Sequence, residues 1–253
     1  MHLSRKVSHK TVITFSGIDG AGKTTQIRNL CAKLREAGLR LHLVVFWDDV
    51  ARLTRFREAA GHALFKGDRG IGTPAAPINR RDKNIRSWWM SFMRLCLYSV
   101  DAFSTRAAVQ RALRSDANVI VFDRFIYDEL ANLNLRNFFM RAYARLIAKV
   151  VPRPQISYLM DADPKQARAR KPEYPVEFLI HSRQSYLALS KLIGGMKVIE
   201  SMSLQEAERE VLKHALKVLP LEGSRGNPKG PATGGIANEL ARLEGTQSRP
   251  ATP

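Results

Sequence analysis

Short apolar runs alternate along the chain with longer segments in which apolar residues recur at helical spacing. The runs are rich in β-branched and aromatic residues, which favours strands. Strands that alternate with helices predict an α/β fold, with a parallel sheet of five strands and helices on both of its faces. The five runs are Thr11–Phe15, Leu41–Phe46, Val119–Phe122, Ile156–Met160 and Lys197–Ile199.

The interval between the second and third runs is long enough for more than one helix. Residues 49–64 are predicted to be helical, and the glycine- and proline-containing stretch 66–83 is predicted to be a loop. Apolar residues at helical spacing predict one long helix over Asn84–Arg114. The two cysteines, Cys31 and Cys96, lie in helical apolar patterns and are interpreted as small core residues.

Three parts of the chain differ in composition. Residues 1–10 form a basic N-terminal tail, and residues 11–219 are predicted to form one α/β domain. Residues 221–253 hold six of the 16 glycines and four of the 12 prolines. We therefore expect a disordered Gly/Pro-rich tail over residues 220–253.

A phosphate-binding loop follows the first run, because Gly17–Thr24 reads G-I-D-G-A-G-K-T and fits G-x-x-x-x-G-K-[ST]. Its glycines let the backbone N–H groups point at a polyphosphate, and the next helix adds its positive N-terminal end. Lys23 supplies a cation for the β- and γ-phosphates, and the Thr24 hydroxyl can bind Mg²⁺. The pattern predicts an ATP and magnesium site. Its expected nucleotide-binding residues are Gly17, Ile18, Asp19, Gly20, Ala21, Gly22, Lys23, Thr24 and Thr25.

A second element of this site is the acid that ends the third run, Asp123. The carboxyl ends of parallel strands are where open α/β sheets bind their ligands. Many buried strands end in Asp without any function, but beside a phosphate loop the position is typical of a Walker B acid. We therefore predict that Asp123 joins Thr24 as a magnesium ligand.

The chain is strongly basic, with 41 Lys and Arg against 23 Asp and Glu and a net charge of +18. This charge suits nucleotides, nucleic acid or an acidic membrane surface, and does not separate them. The chain lacks an uncharged stretch of about 18 residues, so we expect no membrane span, and a cytoplasmic location is the default. The basic loop 66–86, next to Trp88 and Trp89, is either an acceptor clamp or a surface loop.

Three segments carry a resemblance to the thymidylate kinase family. Phe15–Thr25 matches F-x-G-x-[DE]-G-x-G-K-[ST]-T, and Asp123-Arg124-Phe125 matches the later D-R-[YFH]. Tyr158–Pro164 resembles the family's fourth strand, and the residues after it, Arg168, Arg170 and Lys171, resemble an arginine-bearing lid. The resemblance implies a P-loop NTPase fold with strand order 2-3-1-4-5, transfer of the ATP γ-phosphoryl to a nucleoside monophosphate, and a homodimer.

The resemblance also implies roles for individual side chains. Arg124 would hold the acceptor phosphate as a bidentate fork, and Asp19 would contact the acceptor sugar hydroxyl. Arg168 and Arg170 would bring lid cations to the transferred phosphoryl, although a solvated helix face explains them equally well. With Lys23, these four residues are the predicted catalytic set.

The sequence departs from the family at the acceptor side. The family's [AS]-[DN]-R run aligns with Val100-Asp101-Ala102, which lacks the arginine; Arg106 lies one turn later. The family's R-E-P-G segment is replaced by Phe46–Asp49, whose two acids fit either acceptor binding or capping of a following helix. These departures leave thymidylate (dTMP) as the first of several candidate acceptors.

Other functions remain open on the sequence. A P-loop kinase of another phosphorylated or hydroxyl acceptor would keep every motif described above. An ATP-binding switch or nucleic-acid-associated ATPase would use the positive charge, but the chain has no recognisable nucleic-acid module. A regulatory protein that binds ATP without transfer would not need to keep Lys23, Thr24, Asp123 and Arg124.

Overall fold

A computed structural model describes residues 10–46 and 88–219, with side chains from residue 92 onward in the second range. The strands are β1 (Thr11–Ser16), β2 (Leu41–Val45), β3 (Val119–Asp123), β4 (Ile156–Met160) and β5 (Lys197–Ile199). The helices within these ranges are α1 (Lys23–Glu36), α2 (Trp88–Arg114), α3 (Ile126–Leu130), α4 (Phe138–Val150), α5 (Pro164–Arg170), α6 (Val176–Ile193) and α7 (Leu204–Val218).

The five strands form one parallel sheet in the order β2-β3-β1-β4-β5. Within residues 10–46 and 88–219, both the predicted five strands and the order expected from the resemblance are confirmed. All residues of β1 and β4 are buried, as are the first four of β3, so both faces of the central sheet are covered. The edge strand β2 is more exposed, with Leu43 at 46%.

The register of β1 and β3 determines which chain segments lie next to each other at the end of the sheet. Phe15 pairs with Asp123, so the phosphate loop after β1 and the Asp123-Arg124 pair after β3 leave the sheet side by side. β4 pairs with β1 on its other side, which brings the segment after Met160 to the same edge. Three chain segments therefore converge at the carboxyl edge of the sheet, where a parallel sheet accommodates a ligand.

The helices pack in two groups. α1 contacts α7, while α2 contacts α3 and α4, and α6 contacts α4. The long helix predicted over 84–114 is present from Trp88 onward. Its residues Tyr98, Ala102 and Val109 are buried on the side that faces the core. No helix in residues 10–46 and 88–219 is long and apolar enough to span a membrane.

The interpretation of the cysteines was half right. Cys31 on α1 is buried, as expected, whereas Cys96 on α2 is exposed. Cys96 lies on a different face of α2 from the buried Tyr98 and Ala102, because successive helical residues are about 100° apart. An apolar pattern spread around a long helix does not identify which of its sides is the core.

Several sequence predictions lie outside the described residues: the basic tail before Lys10, the helix over 49–64, the loop over 66–86, the start of the long helix at 84–87, and the tail from residue 220. The acids Asp48 and Asp49 lie in the same undescribed part of the chain.

Candidate active site

Two glycines of the phosphate loop are required by close backbone contacts. Gly17 has φ 140°, and a Cβ there would collide with the Met160 carbonyl oxygen on β4. Gly20 has φ 81°, and its Cβ would collide with the backbone of Ala167 on α5. Only glycine tolerates both the conformation and the contact. The loop is therefore held between β4 and α5.

The third glycine borders open space. Gly22 is the N-cap of α1 with φ 85°, and a Cβ there would meet no atom within 4 Å. No side chain caps this helix and no acid lies in its first turn, which leaves its N–H groups and positive end available to an anion. Thr24 and Thr25 are exposed on the same turn. This cradle fits a polyphosphate.

Lys23 is folded over the loop that it follows. Its buried Nζ donates hydrogen bonds to the carbonyl oxygens of Gly17 and Ile18, both at 2.8 Å. Burial and the nearby positive charge of Arg124 lower the pKa of Lys23 to about 8. The ammonium group thus has two backbone acceptors that phosphate oxygens can replace.

The chain turns sharply where β3 ends. Arg124 has φ 69°, which makes it the one non-glycine residue of left-handed conformation within the described ranges, and its N–H donates to the Phe15 carbonyl at 3.0 Å. This turn directs the chain from β3 into α3 and brings the Arg124 side chain beside the loop. Asp123, the last residue of β3, is half-buried, and burial raises the pKa of its carboxyl.

The residues present suit magnesium held jointly with a nucleotide. No group of three or more His, Cys, Asp or Glu side chains in the described parts of the chain could hold a metal by itself. Mg²⁺ is usually bound through one or two protein groups together with substrate phosphates and water. The predicted pair, the Thr24 hydroxyl and the Asp123 carboxylate, has this character.

Arg124 and Asp19, to which the resemblance gives separate roles at the acceptor, form an ion pair. Arg124 Nη2 lies 2.5 Å from Asp19 Oδ1, and the two side chains are 21% and 22% exposed. Burial opposes the charge of Asp19, but Arg124, Lys23 and Lys171 outweigh it and lower the pKa of that carboxyl. Both groups are therefore charged at neutral pH.

A buried carboxylate that the sequence reasoning missed completes this cluster. Asp128 on α3 accepts hydrogen bonds from Ser16 Oγ at 2.7 Å and from Tyr186 OH at 2.7 Å, and Arg124 Nη1 lies 3.4 Å from its Oδ1. Burial, and the charge of Asp128 itself, raise the pKa of Tyr186, so the phenol remains a donor. The i, i+4 spacing of Arg124 and Asp128 was the available signal.

The two predicted lid arginines donate hydrogen bonds to backbone carbonyls outside the loop. Half-buried Arg168 donates to the Tyr174 carbonyl at 3.2 Å, and exposed Arg170 donates to the Gln166 carbonyl at 3.3 Å. Lys171 is the nearer cation, with Nζ 3.9 Å from Asp19 Oδ1. Both arginines are thus engaged by the backbone of their own segment.

The possible replacement for the family's helix arginine also points elsewhere. Arg106 Nη1 donates to the Val150 carbonyl at the end of α4, in an exposed contact at 3.0 Å. Asp101, the acid of the segment that aligns with the family's [AS]-[DN]-R run, lies within α2 and is 1% exposed. In this structure Arg106 thus joins two helices, and the acceptor side departs from the family pattern.

Two relatives resemble the chain over most of its length. A probable thymidylate kinase of Methanosphaera stadtmanae is 23% identical over 216 residues, which are 83% of this chain and 99% of the relative. A probable thymidylate kinase of Pyrococcus abyssi is 25% identical over 218 residues, which are 81% of this chain and 96% of the relative. No protein-family model matches the chain. Together with the sheet order, these matches make the chain thymidylate kinase-like.

Proposed function

We propose that this thymidylate kinase-like protein is a nucleotide kinase that transfers the γ-phosphoryl of ATP to a nucleoside monophosphate, with dTMP as the first candidate. The observation that carries the proposal is the adjacency of a phosphate loop and the Asp19–Arg124 pair. A donor cradle alone would suit any ATPase. A charged pair beside it supplies a guanidinium for a second phosphate and a carboxylate for a hydroxyl.

On the donor side, the loop and α1 bind the polyphosphate of ATP through backbone N–H groups. Lys23 exchanges its two backbone acceptors for phosphate oxygens and so places its charge on the β- and γ-phosphates. Thr24 and Asp123 would hold Mg²⁺, which when bound neutralises charge on those oxygens. Phosphoryl transfer depends mainly on such positioning and on electrostatic stabilisation.

On the acceptor side, Arg124 binds the monophosphate and Asp19 accepts a hydrogen bond from an acceptor hydroxyl. Their ion pair has to open for this, because both side chains currently satisfy each other. The partial exposure of the pair makes the exchange accessible to a ligand. Arg168 and Arg170 would reach the transferred phosphoryl only after leaving the Tyr174 and Gln166 carbonyls.

The acceptor is tested directly with purified full-length protein. ATP consumption and product formation are measured against nucleoside monophosphates, nucleosides and phosphorylated sugars. We expect the highest kcat/KM with a nucleoside monophosphate. Turnover only with a nucleoside or a phosphorylated sugar would show that the protein is a kinase with a different acceptor. Turnover with none of these compounds would refute the proposal.

A second function, a nucleic-acid-stimulated ATPase, is favoured by the net charge of +18. It predicts hydrolysis that rises with added DNA or RNA and a binding constant that falls steeply with salt. Polynucleotide-independent transfer to a small acceptor would decide against it. The homodimer and the cytoplasmic location expected from the sequence remain predictions, to be measured by sedimentation and by cell fractionation.

A further inference from the structure

Asp128 has no role in the reaction proposed above, although it contacts the side chain that would bind the acceptor phosphate. Its side chain is only 1% exposed. A buried carboxylate is costly unless it is paired or accepts several hydrogen bonds. The number and direction of its partners therefore indicate what holds it in place.

Three partners fix Asp128 without involving Arg124. Oδ2 accepts from Ser16 Oγ at 2.7 Å and from the Phe125 N–H at 3.0 Å, and Oδ1 accepts from Tyr186 OH at 2.7 Å. These donors come from the end of β1, the start of α3 and the middle of α6. The carboxylate is thus tied to three elements of the fold.

The remaining capacity of Oδ1 is directed at Arg124, whose Nη1 lies 3.4 Å away. Arg124 is itself in the left-handed region with φ 69°, a conformation that costs an ordinary residue free energy and needs support from its surroundings. Asp128 contributes to this support because it accepts the N–H of the next residue, Phe125. A fixed anion thus faces one side of the guanidinium.

The other carboxylate on Arg124 differs in every one of these respects. Asp19 is 22% exposed, lies in a glycine-containing loop and has a second cation, Lys171, at 3.9 Å. Its contact with Arg124 is shorter, at 2.5 Å, but it can be exchanged for a phosphate because it is accessible. One guanidinium therefore has one buried partner and one replaceable partner.

We propose that Asp128 is a positioning residue for the acceptor site: it holds Arg124 in place, while Asp19 is the partner that an acceptor phosphate replaces. This inference rests on the proposed function for its consequence in catalysis. The holding of Arg124 itself does not depend on which acceptor is used, so it can be measured without turnover.

The first test measures the chemical accessibility of Arg124. Full-length protein and the Asp128→Asn variant are treated with phenylglyoxal, and the modification rate of each arginine is followed by peptide mass spectrometry. We expect Arg124 to be modified at least about threefold faster in the variant, because a lost ion pair frees its guanidinium. An unchanged rate at Arg124 would overturn the inference, whatever reaction the protein catalyses.

A matched control removes a different carboxylate from an arginine. Asp161 accepts from Arg183 Nε and Nη2, both at 2.6 Å, and Arg183 lies on α6, as Tyr186 does. Asp161→Asn should accelerate modification of Arg183 and leave Arg124 at the parent rate. Acceleration at both arginines in either variant would indicate general loosening, which contradicts a specific hold by Asp128.

The second test separates positioning from a purely structural role. With the best acceptor from the panel, Asp128→Asn should raise the acceptor KM by about tenfold and leave the ATP KM within about twofold. In an Arg124→Ala background the same substitution should have no further effect on the acceptor KM. Equal rises in both KM values, or an undiminished effect in that background, would refute the proposal.

A further variant guards against failure to fold. Asp128→Ser also removes the negative charge that faces Arg124, but it keeps a hydroxyl for the Phe125 N–H. It should reproduce both the faster modification of Arg124 and the higher acceptor KM. If the parent protein transfers phosphate to no acceptor, the proposed function fails while the modification rates still decide the role of Asp128. If the parent is active and the rates are unchanged, only the inference about Asp128 fails.

Discussion

The phosphate loop and the segment after β4 meet at the same edge of the sheet, yet they hold their cations in different ways. Lys23 is buried on the carbonyls of its own loop, and that loop is enclosed by backbone contacts at Gly17 and Gly20. Arg168 and Arg170 lie on a short helix and donate to carbonyls of their own segment, one half-buried and the other exposed. The ammonium group of Lys23 thus contacts the loop itself, whereas the guanidinium groups of Arg168 and Arg170 contact carbonyls outside the loop.

The difference matters because the two segments touch. A Cβ at Gly20 would collide with the backbone of Ala167, so α5 packs directly on the loop, while the guanidinium groups of Arg168 and Arg170 donate to the Tyr174 and Gln166 carbonyls. Arg168 and Arg170 therefore have to exchange those carbonyls for phosphate oxygens before they can take part in transfer.

The strongest test of this comparison is Lys23→Ala. Because the ammonium is expected to stabilise charge on the transferred phosphoryl, turnover should fall by about 10²–10³-fold or more, and ATP affinity should fall with it. Steady-state kinetics and ATP titration measure both quantities. Lys33→Ala on the same helix removes an exposed lysine and should change neither. Near-normal turnover in Lys23→Ala would mean that the loop is not catalytic.

A second test examines the contact between loop and helix through Gly20→Ala and Gly38→Ala. Both glycines have φ near 80°, but a Cβ at Gly38 meets no atom within 4 Å. Each substitution should cost about 1–2 kcal/mol for the left-handed backbone, and Gly20→Ala about 1–3 kcal/mol more for overpacking. Urea unfolding measures the difference. Equal losses would contradict the close packing of Gly20 on Ala167.

The third test uses the pH dependence of ATP binding. Burial, together with Arg124, lowers the pKa of Lys23 to about 8, so the free protein loses this charge as the pH rises through that value. Phosphates favour the charged form, and binding above pH about 8 should therefore take up a proton. ATP affinity should then fall by up to about tenfold per pH unit. Calorimetry in two buffers of different ionisation enthalpy measures the uptake. Binding without proton uptake at pH 9 would refute the assignment.

The smallest effects are expected from the arginines of α5. Arg168→Ala and Arg170→Ala should each reduce kcat from a few-fold to about tenfold, since each side chain would have to leave its backbone carbonyl to reach the phosphoryl. Unfolding free energy should change by less than about 0.5 kcal/mol for the exposed Arg170. Denaturation and single-turnover kinetics separate the two quantities. Unchanged kcat in both variants would identify them as residues of a solvated helix face.

Local sequence patterns were sufficient to predict the strands of the sheet and the phosphate loop. The apolar runs predicted the five strands within one residue of their ends, and the signal was strongest for β1, β3 and β4, because strands buried on both faces are largely apolar. The conformation of the phosphate loop was predictable for a related reason: the contacts at Gly17 and Gly20 admit no other residue, so the glycines occupy fixed positions in a short contiguous segment.

Local sequence patterns could not predict the contacts between side chains that are far apart in the chain. The ion pair of Arg124 and Asp19 joins residues 105 positions apart, and the hydrogen bond from Tyr186 to Asp128 spans 58 positions. Neither distance follows from a local pattern, because the register of β1 against β3 and the packing of α6 decide it. The same holds for the exposure of Cys96, which depends on the side of α2 that faces the core.

The amino-acid sequence by itself determined the α/β frame, the phosphate loop with Lys23 and Thr24, and the presence of Asp123 and Arg124 after a buried strand. Each of these is encoded by neighbouring residues. Only the tertiary structure decided that Arg124 lies between two carboxylates, that Asp128 is the buried one, and that Arg168 donates to the Tyr174 carbonyl. The energy of a charged group is set by what surrounds it, and the fold alone supplies those surroundings.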